Sequence, residues 1–158
     1  MTGGDEFGAI FDPSRSVVLV ASAGTGKTWR LVRRYLWIVA GARPGTREPW
    51  ATPEQVVAVT FTRAAAAQMR TRLFAALTHE GHDLDRDDDP VLAEIAALRS
   101  RDERLGLAER LAAAPIGTLH SYCARLLAEF PELGGVPPDA RALEPAEQSL
   151  ELDAFVAS

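Results

Sequence analysis

Residues 17–28, VVLVASAGTGKT, constrain the fold more than any other stretch of the chain. The run 17–20 is apolar and mostly β-branched, and reads as a strand buried on both faces, as in a parallel sheet. Small residues follow at 21–26. From about Lys27 the spacing of Leu31, Tyr35, Leu36 and Val39 predicts a helix, which GARPG at 41–45 ends. Strand, glycine loop and helix in that order make a phosphate-binding turn. Backbone N–H groups curl round the anion, and the helix points its positive dipole end at it. Gly24 and Gly26 supply backbone free of side chains, Lys27 reaches phosphate oxygens, and the Thr28 hydroxyl suits Mg²⁺. The general pattern G-x-x-x-x-G-K-[ST] places a glycine where this chain has Ala21. A small side chain is tolerated there at negative φ. The bland alternative is a glycine-rich turn between strand and helix.

Composition sharpens the point. Of 17 Lys and Arg residues, Lys27 alone is a lysine. A compact ammonium fits between phosphate oxygens where a flat guanidinium does not. The chain has 158 residues, 47% of them hydrophobic and 25% charged, which is enough for one domain with a real core. No apolar run approaches the ~20 residues of a membrane helix. The first residues lack the basic and apolar regions of a secretory signal. Both points predict a cytoplasmic protein with no membrane partner. A single cysteine, Cys123, leaves no internal disulfide framework and no Cys-rich zinc site, and it reads as a small buried hydrophobe.

The net charge of −5 is unlike that of a self-sufficient nucleic-acid binder. The charge is uneven, however. Arg30, Arg33, Arg34, Arg43 and Arg47 precede the first nearby acid, Glu48, whereas acids crowd into 80–109. A local positive surface beside an acidic insertion is expected. DRDDDP at 85–90 lacks a Ca²⁺-loop pattern and reads as a solvated loop.

Further along, 56–61 (VVAVTF) reads as a second buried strand and 63–78 as a helix rich in good helix formers. A polar connection at 79–90 leads to a helical region at 91–113, broken near Ser100. A short strand at 116–118 precedes a helix from about His120. Residues 131–143 read as irregular, and the tail as the start of another helix with Pro145 in its first turn. Strands alternating with helices predict an α/β fold with a parallel sheet.

Three segments, in this order and spacing, carry a family resemblance: ASAGTGKT at 21–28, VVAVTFTRAAAAQMRTRL at 56–73 and IGTLHSYCARLL at 116–127. They resemble the first three motifs of the superfamily 1A DNA helicases, the UvrD/Rep-like group, and are most similar to its RecB/AddA-like branch. The A-x-x-G-x-G-K-T variant is typical of that group and accounts for Ala21. The resemblance implies a P-loop NTPase fold of the RecA-like kind, with a parallel sheet and flanking helices. Residues 1–130 would be the N-terminal part of helicase domain 1A, with 79–113 an acidic, helical insertion. Residues 131–158 would be a linker and the start of helical subdomain 1B. Ala21, Ser22, Ala23, Gly24, Thr25, Gly26, Lys27, Thr28 and Trp29 would surround Mg·ATP, with Lys27 and Thr28 catalytic and Thr28 on Mg²⁺. Thr60, Phe61, Thr62 and Arg63, then Thr118, His120 and Ser121, would lie along single-stranded DNA.

The residue chemistry suits those roles. Phe61 offers a face for base stacking, and the hydroxyls, His120 and Arg63 suit phosphate oxygens. Local readings compete with them. Phe61 also suits a core, and Thr118, His120 and Ser121 also suit a helix cap.

The family implies coupling of ATP hydrolysis to translocation on single-stranded DNA and duplex unwinding in repair and recombination. For the RecB/AddA-like branch it also implies partner subunits in a helicase–nuclease complex. The chain departs from the group at three points. No glutamine lies upstream of the loop to read adenine, Trp29 stands where an arginine is common, and no apolar run is followed by the D-E that hydrolysis needs. No arginine finger and no nuclease motif is found either. The expectation is an N-terminal piece of a larger helicase that hydrolyses ATP poorly by itself. The alternatives are a non-catalytic ATP- or DNA-binding module and a small-molecule kinase, which leaves the second and third segments unexplained.

Overall fold

The computed structural model describes residues 11–20, 26–78 and 89–137, with residues 139, 140, 143, 147 and 155. The chain divides into two units, Met1–Gly117 and Thr118–Ser158.

In the first unit, α1 spans Lys27–Ala40 and buries Val32, Tyr35, Leu36, Val39 and Ala40, one stripe at helical spacing. A 3₁₀ turn at Pro53–Gln55 is held by a capping box between Thr52 and Gln55. Strand β1, Ala58–Thr60, leads to α2, Arg63–Thr78, which buries Ala66, Met69, Leu73, Ala76 and Leu77. Next come α3, Pro90–Leu98, α4, Arg101–Arg110, and β2, Ile116–Thr118. The two strands pair. The Ala58 N–H donates to the Pro115 carbonyl at 3.0 Å, and the Thr60 hydroxyl lies 3.3 Å from the Gly117 carbonyl. Partners that ascend together mark a parallel pair. Helix α2 packs on α1 and α4, and α1 on α3. Leu36, Met69, Leu73 and Leu77 lie at the centre of one core with Phe11, Val91, Ile95 and Ile116.

Arginines close the helix ends. Arg99 donates to the Ala40 and Gly41 carbonyls at the end of α1, and Arg47 to the Leu98 carbonyl at the end of α3. Arg70, on α2, donates to the carbonyls of Leu111, Ala114 and Ile116. Arg99 and Arg47 thus place cations on carbonyls at helix ends, whereas Arg70 adds a second donor to the Leu111 and Ala114 carbonyls, which also accept from the Ala114 and Ile116 N–H groups.

In the second unit, α5 spans Leu119–Glu129 and α6 is a single turn, Pro131–Gly134. Neither helix contains a buried residue. A Cβ at Gly134 would collide with the Leu127 side chain, so glycine lets that turn lie against α5. No helix among the described residues is long and apolar enough to cross a membrane.

Four sequence expectations are corrected. Residues 17–20 form no strand, and Val18 and Val20 are 88% and 91% exposed. Burial on both faces needs layers above and below and a ladder neighbour, and no described strand pairs with this run. The expected strand at 56–61 is reduced to Ala58–Thr60, with Val57 and Val59 exposed. Cys123 is exposed, because α5 buries none of its faces. Part of the expected irregular segment is the α6 turn, started by Pro131 at its first position. The tail helix expected from Pro145 lies almost entirely outside the described residues.

Candidate functional site

Ala21, Ser22, Ala23, Gly24 and Thr25 lie outside the described residues. The far side of the loop is defined. Gly26 has φ 82°, a left-handed conformation that favours glycine, and it stands as the N-cap of α1. It brings no side chain to cap the helix, and the first turn holds no acidic residue. Lys27 is exposed and Thr28 half-buried. A helix start with an ammonium, a hydroxyl and no carboxylate fits a polyphosphate with Mg²⁺. A cavity of about 450 Å³, lined by Phe11, Trp37, Trp50 and Val91 among others, lies toward the opposite end of α1. None of its described lining residues belongs to this loop.

Trp29 follows directly. Its ring lies 4.8 Å from the Arg33 guanidinium, measured to the ring centroid. Arg33 Nε in turn donates to Asp89 Oδ2 at 2.5 Å, and the two side chains are only 6% and 2% exposed. Asp89 Oδ1 accepts from the N–H groups of Val91 and Leu92, capping α3. Two expectations change here. Arg33 does not contribute to a positive surface, and Asp89 does not belong to a solvated loop. The signals were legible: Asp89-Pro90 is an N-cap followed by proline, and Arg33 shares a helix face with Leu36 and Ala40.

The other expected residues sit at strand ends. The Thr60 hydroxyl donates to the Thr62 carbonyl at 2.9 Å, and the Thr62 hydroxyl accepts from the Ala65 N–H at 3.1 Å, capping α2. Between them Phe61 is 102% exposed, so it is no core residue, and Arg63 is exposed beside it. This corner therefore presents an aromatic face and a cation, while its hydroxyls hold the turn.

In the second unit, the Thr118 hydroxyl accepts from the Ser121 N–H at 3.2 Å, and the Ser121 hydroxyl donates to the Thr118 carbonyl at 2.8 Å. Both cap α5. His120 makes no part of that cap and is exposed in the first turn.

The family model of the UvrD/REP helicase N-terminal domain matches residues 5–157. The chain belongs to that family. Among its curated relatives is the ATP-dependent helicase/nuclease AddA of Moorella thermoacetica, 35% identical over 146 residues, covering 92% of this chain and 9% of the relative. The AddA proteins of Limosilactobacillus fermentum and Lysinibacillus sphaericus are 31% and 29% identical, over 90% and 97% of this chain and 9% and 11% of theirs. These relatives put this UvrD/REP-type domain with the AddA, RecB-like branch. The chain spans only about a tenth of their length.

Proposed function

We propose that this chain is the ATP-binding segment of an ATP-dependent DNA helicase of the AddA helicase/nuclease type, built on a P-loop fold of the RecA-like kind. The observation that carries the reading is the start of α1: left-handed Gly26, then Lys27 and Thr28, with no acidic residue in the first turn. Residues Ala21 to Trp29 surround the nucleotide. Lys27 holds β- and γ-phosphate oxygens, Thr28 gives its hydroxyl to Mg²⁺, and the first N–H groups of α1 face the anion. The metal, when bound, neutralises charge on the phosphates.

Thr60, Phe61, Thr62 and Arg63 in the first unit form one contact for single-stranded DNA, and Thr118, His120 and Ser121 in the second form another. Phe61 stacks on a base, Arg63 and His120 meet phosphates, and the threonines and Ser121 fix the two turns. The whole protein couples ATP hydrolysis to movement on DNA during repair and recombination, in a complex with a second, different chain. No apolar run of this segment is followed by the D-E pair expected to activate water. The segment therefore binds nucleotide and leaves turnover to parts supplied elsewhere.

Calorimetry with Mg·ATP tests the reading. Measurable binding is expected, and Lys27→Ala is expected to abolish it. Equal binding by both forms would sink the proposal.

A further inference from the structure

Arg33 and Asp89 form an ion pair at a depth where charge is costly. Removing each ion from water costs several kcal/mol, and apolar replacements of such pairs are often neutral or stabilising. Stability alone is therefore a weak reason for the pair, and its location suggests a stronger one. The Asp89 carboxylate is fully engaged: one oxygen caps α3 through Val91 and Leu92, and the other holds Arg33. The guanidinium it fixes lies over the ring of Trp29, the residue that follows Lys27 and Thr28. A continuous chain of contacts thus runs from the start of α3 through Asp89, Arg33 and Trp29 to the first turn of α1. It joins the start of α3 to the start of α1.

We propose that Asp89 and Arg33 are positioning residues for the nucleotide site. They hold the Trp29 ring, and with it the first turn of α1, so that Lys27 and Thr28 meet the phosphates of a nucleoside triphosphate. The proposal rests on the nucleotide reading above. It extends the site across the fold from Lys27 to the carboxylate of Asp89, far along the chain.

Charge and position predict opposite effects here, which makes the idea testable. Arg33 lies about 9 Å along the helix axis from Lys27, at 1.5 Å per residue. If Asp89 acted only by neutralising that cation, removing its charge would strengthen anion binding. If it positions Trp29, removal weakens binding.

The experiment is Mg·ATP affinity of the full-length protein, with thermal unfolding as the fold control. Asp89→Asn keeps the cap of α3, since asparagine caps as well as aspartate, while it removes the charge. Arg33→Lys keeps the charge and loses the planar face over Trp29. Each is expected to weaken binding by roughly five- to tenfold, the net size of one typical hydrogen bond, in protein that is folded at the assay temperature. The pair Arg33→Met with Asp89→Asn is expected to regain thermal stability without regaining affinity. Affinity that is unchanged in the folded variants, tighter in Asp89→Asn, or restored together with stability in the pair overturns the proposal. If one single variant does not fold, the other decides. Lys27→Ala runs alongside: if it binds like the parent, the nucleotide reading itself has failed, which is a separate result.

Discussion

Arginine does two different jobs in this chain, and sequence alone does not separate them. Arg70 spends its guanidinium on three backbone carbonyls. Its truncation removes three charge-assisted hydrogen bonds, although the Leu111 and Ala114 carbonyls keep a backbone partner, so Arg70→Ala is expected to destabilise the protein by about 2 kcal/mol in urea unfolding. Arg110 instead forks onto Glu54, Nε to Oε1 at 2.8 Å and Nη2 to Oε2 at 2.6 Å. That fork, helped by hydrogen bonding from Thr52, pulls the Glu54 carboxyl from its usual 4.5 to about 2. A carboxyl lowered by folding stabilises the native state above its unfolded value, and the contribution fades as pH falls through the folded value. Unfolding midpoints measured from pH 6 down to pH 2 should therefore fall less steeply in Glu54→Gln than in the parent. Phe61 differs from these residues in having little to lose by folding. Phe61→Ala should leave stability within ~0.5 kcal/mol and weaken single-stranded DNA binding by the full-length protein by ~1–3 kcal/mol, the worth of one stacked base. Fluorescence anisotropy with a labelled oligonucleotide reads that loss.

At the scale of elements, the turn between α3 and α4 is a local device. The Ser100 hydroxyl accepts from the Glu103 N–H, and the Glu103 carboxylate accepts from the Ser100 N–H at 2.7 Å, which keeps that carboxyl below its usual range. Ser100→Ala should cost ~1 kcal/mol, read by thermal unfolding. Such devices were legible because their signals are local. The start of α2 at Arg63, its end at Thr78, the break at Ser100 and the strand at Ile116–Thr118 all follow from caps, helix formers and short apolar runs. Strands are not local in this sense. Residues 17–20 and 56–61 carry the same apolar pattern, yet of the two, only Ala58–Thr60 has a pairing partner among the described residues. The candidate site divides along the same line. The start of α1 could be read from the Gly-Lys-Thr spacing, whereas the contact between Arg33 and Asp89 joins residues 56 apart and leaves no periodic trace.

At the scale of the molecule, the question is what the exposed apolar surface means. Val18, Val20 and Phe61 stand in solvent in the first unit, and Leu133 in the second. Exposed apolar patches of this kind mark interaction surfaces or association hazards. Residues 17–20 allow the sharpest test, because sequence pattern and structure disagree about them. Burial of two valine side chains would make the double change Val18→Thr, Val20→Thr cost several kcal/mol, since each valine contributes ~1.5 kcal/mol or more when it leaves water and threonine brings a hydroxyl that needs a partner. Exposure, as in this structure, makes the same change nearly neutral for unfolding and favourable for solubility. The expected outcome for the 158-residue chain is an unchanged urea midpoint, with less self-association in sedimentation velocity. In the full-length protein the same double change is expected to lower the midpoint if further strands pair with this run, because Val18 and Val20 would then share one face of a sheet that a packed layer covers. The difference between the two midpoints therefore measures how far residues 17–20 depend on further chain to complete a sheet.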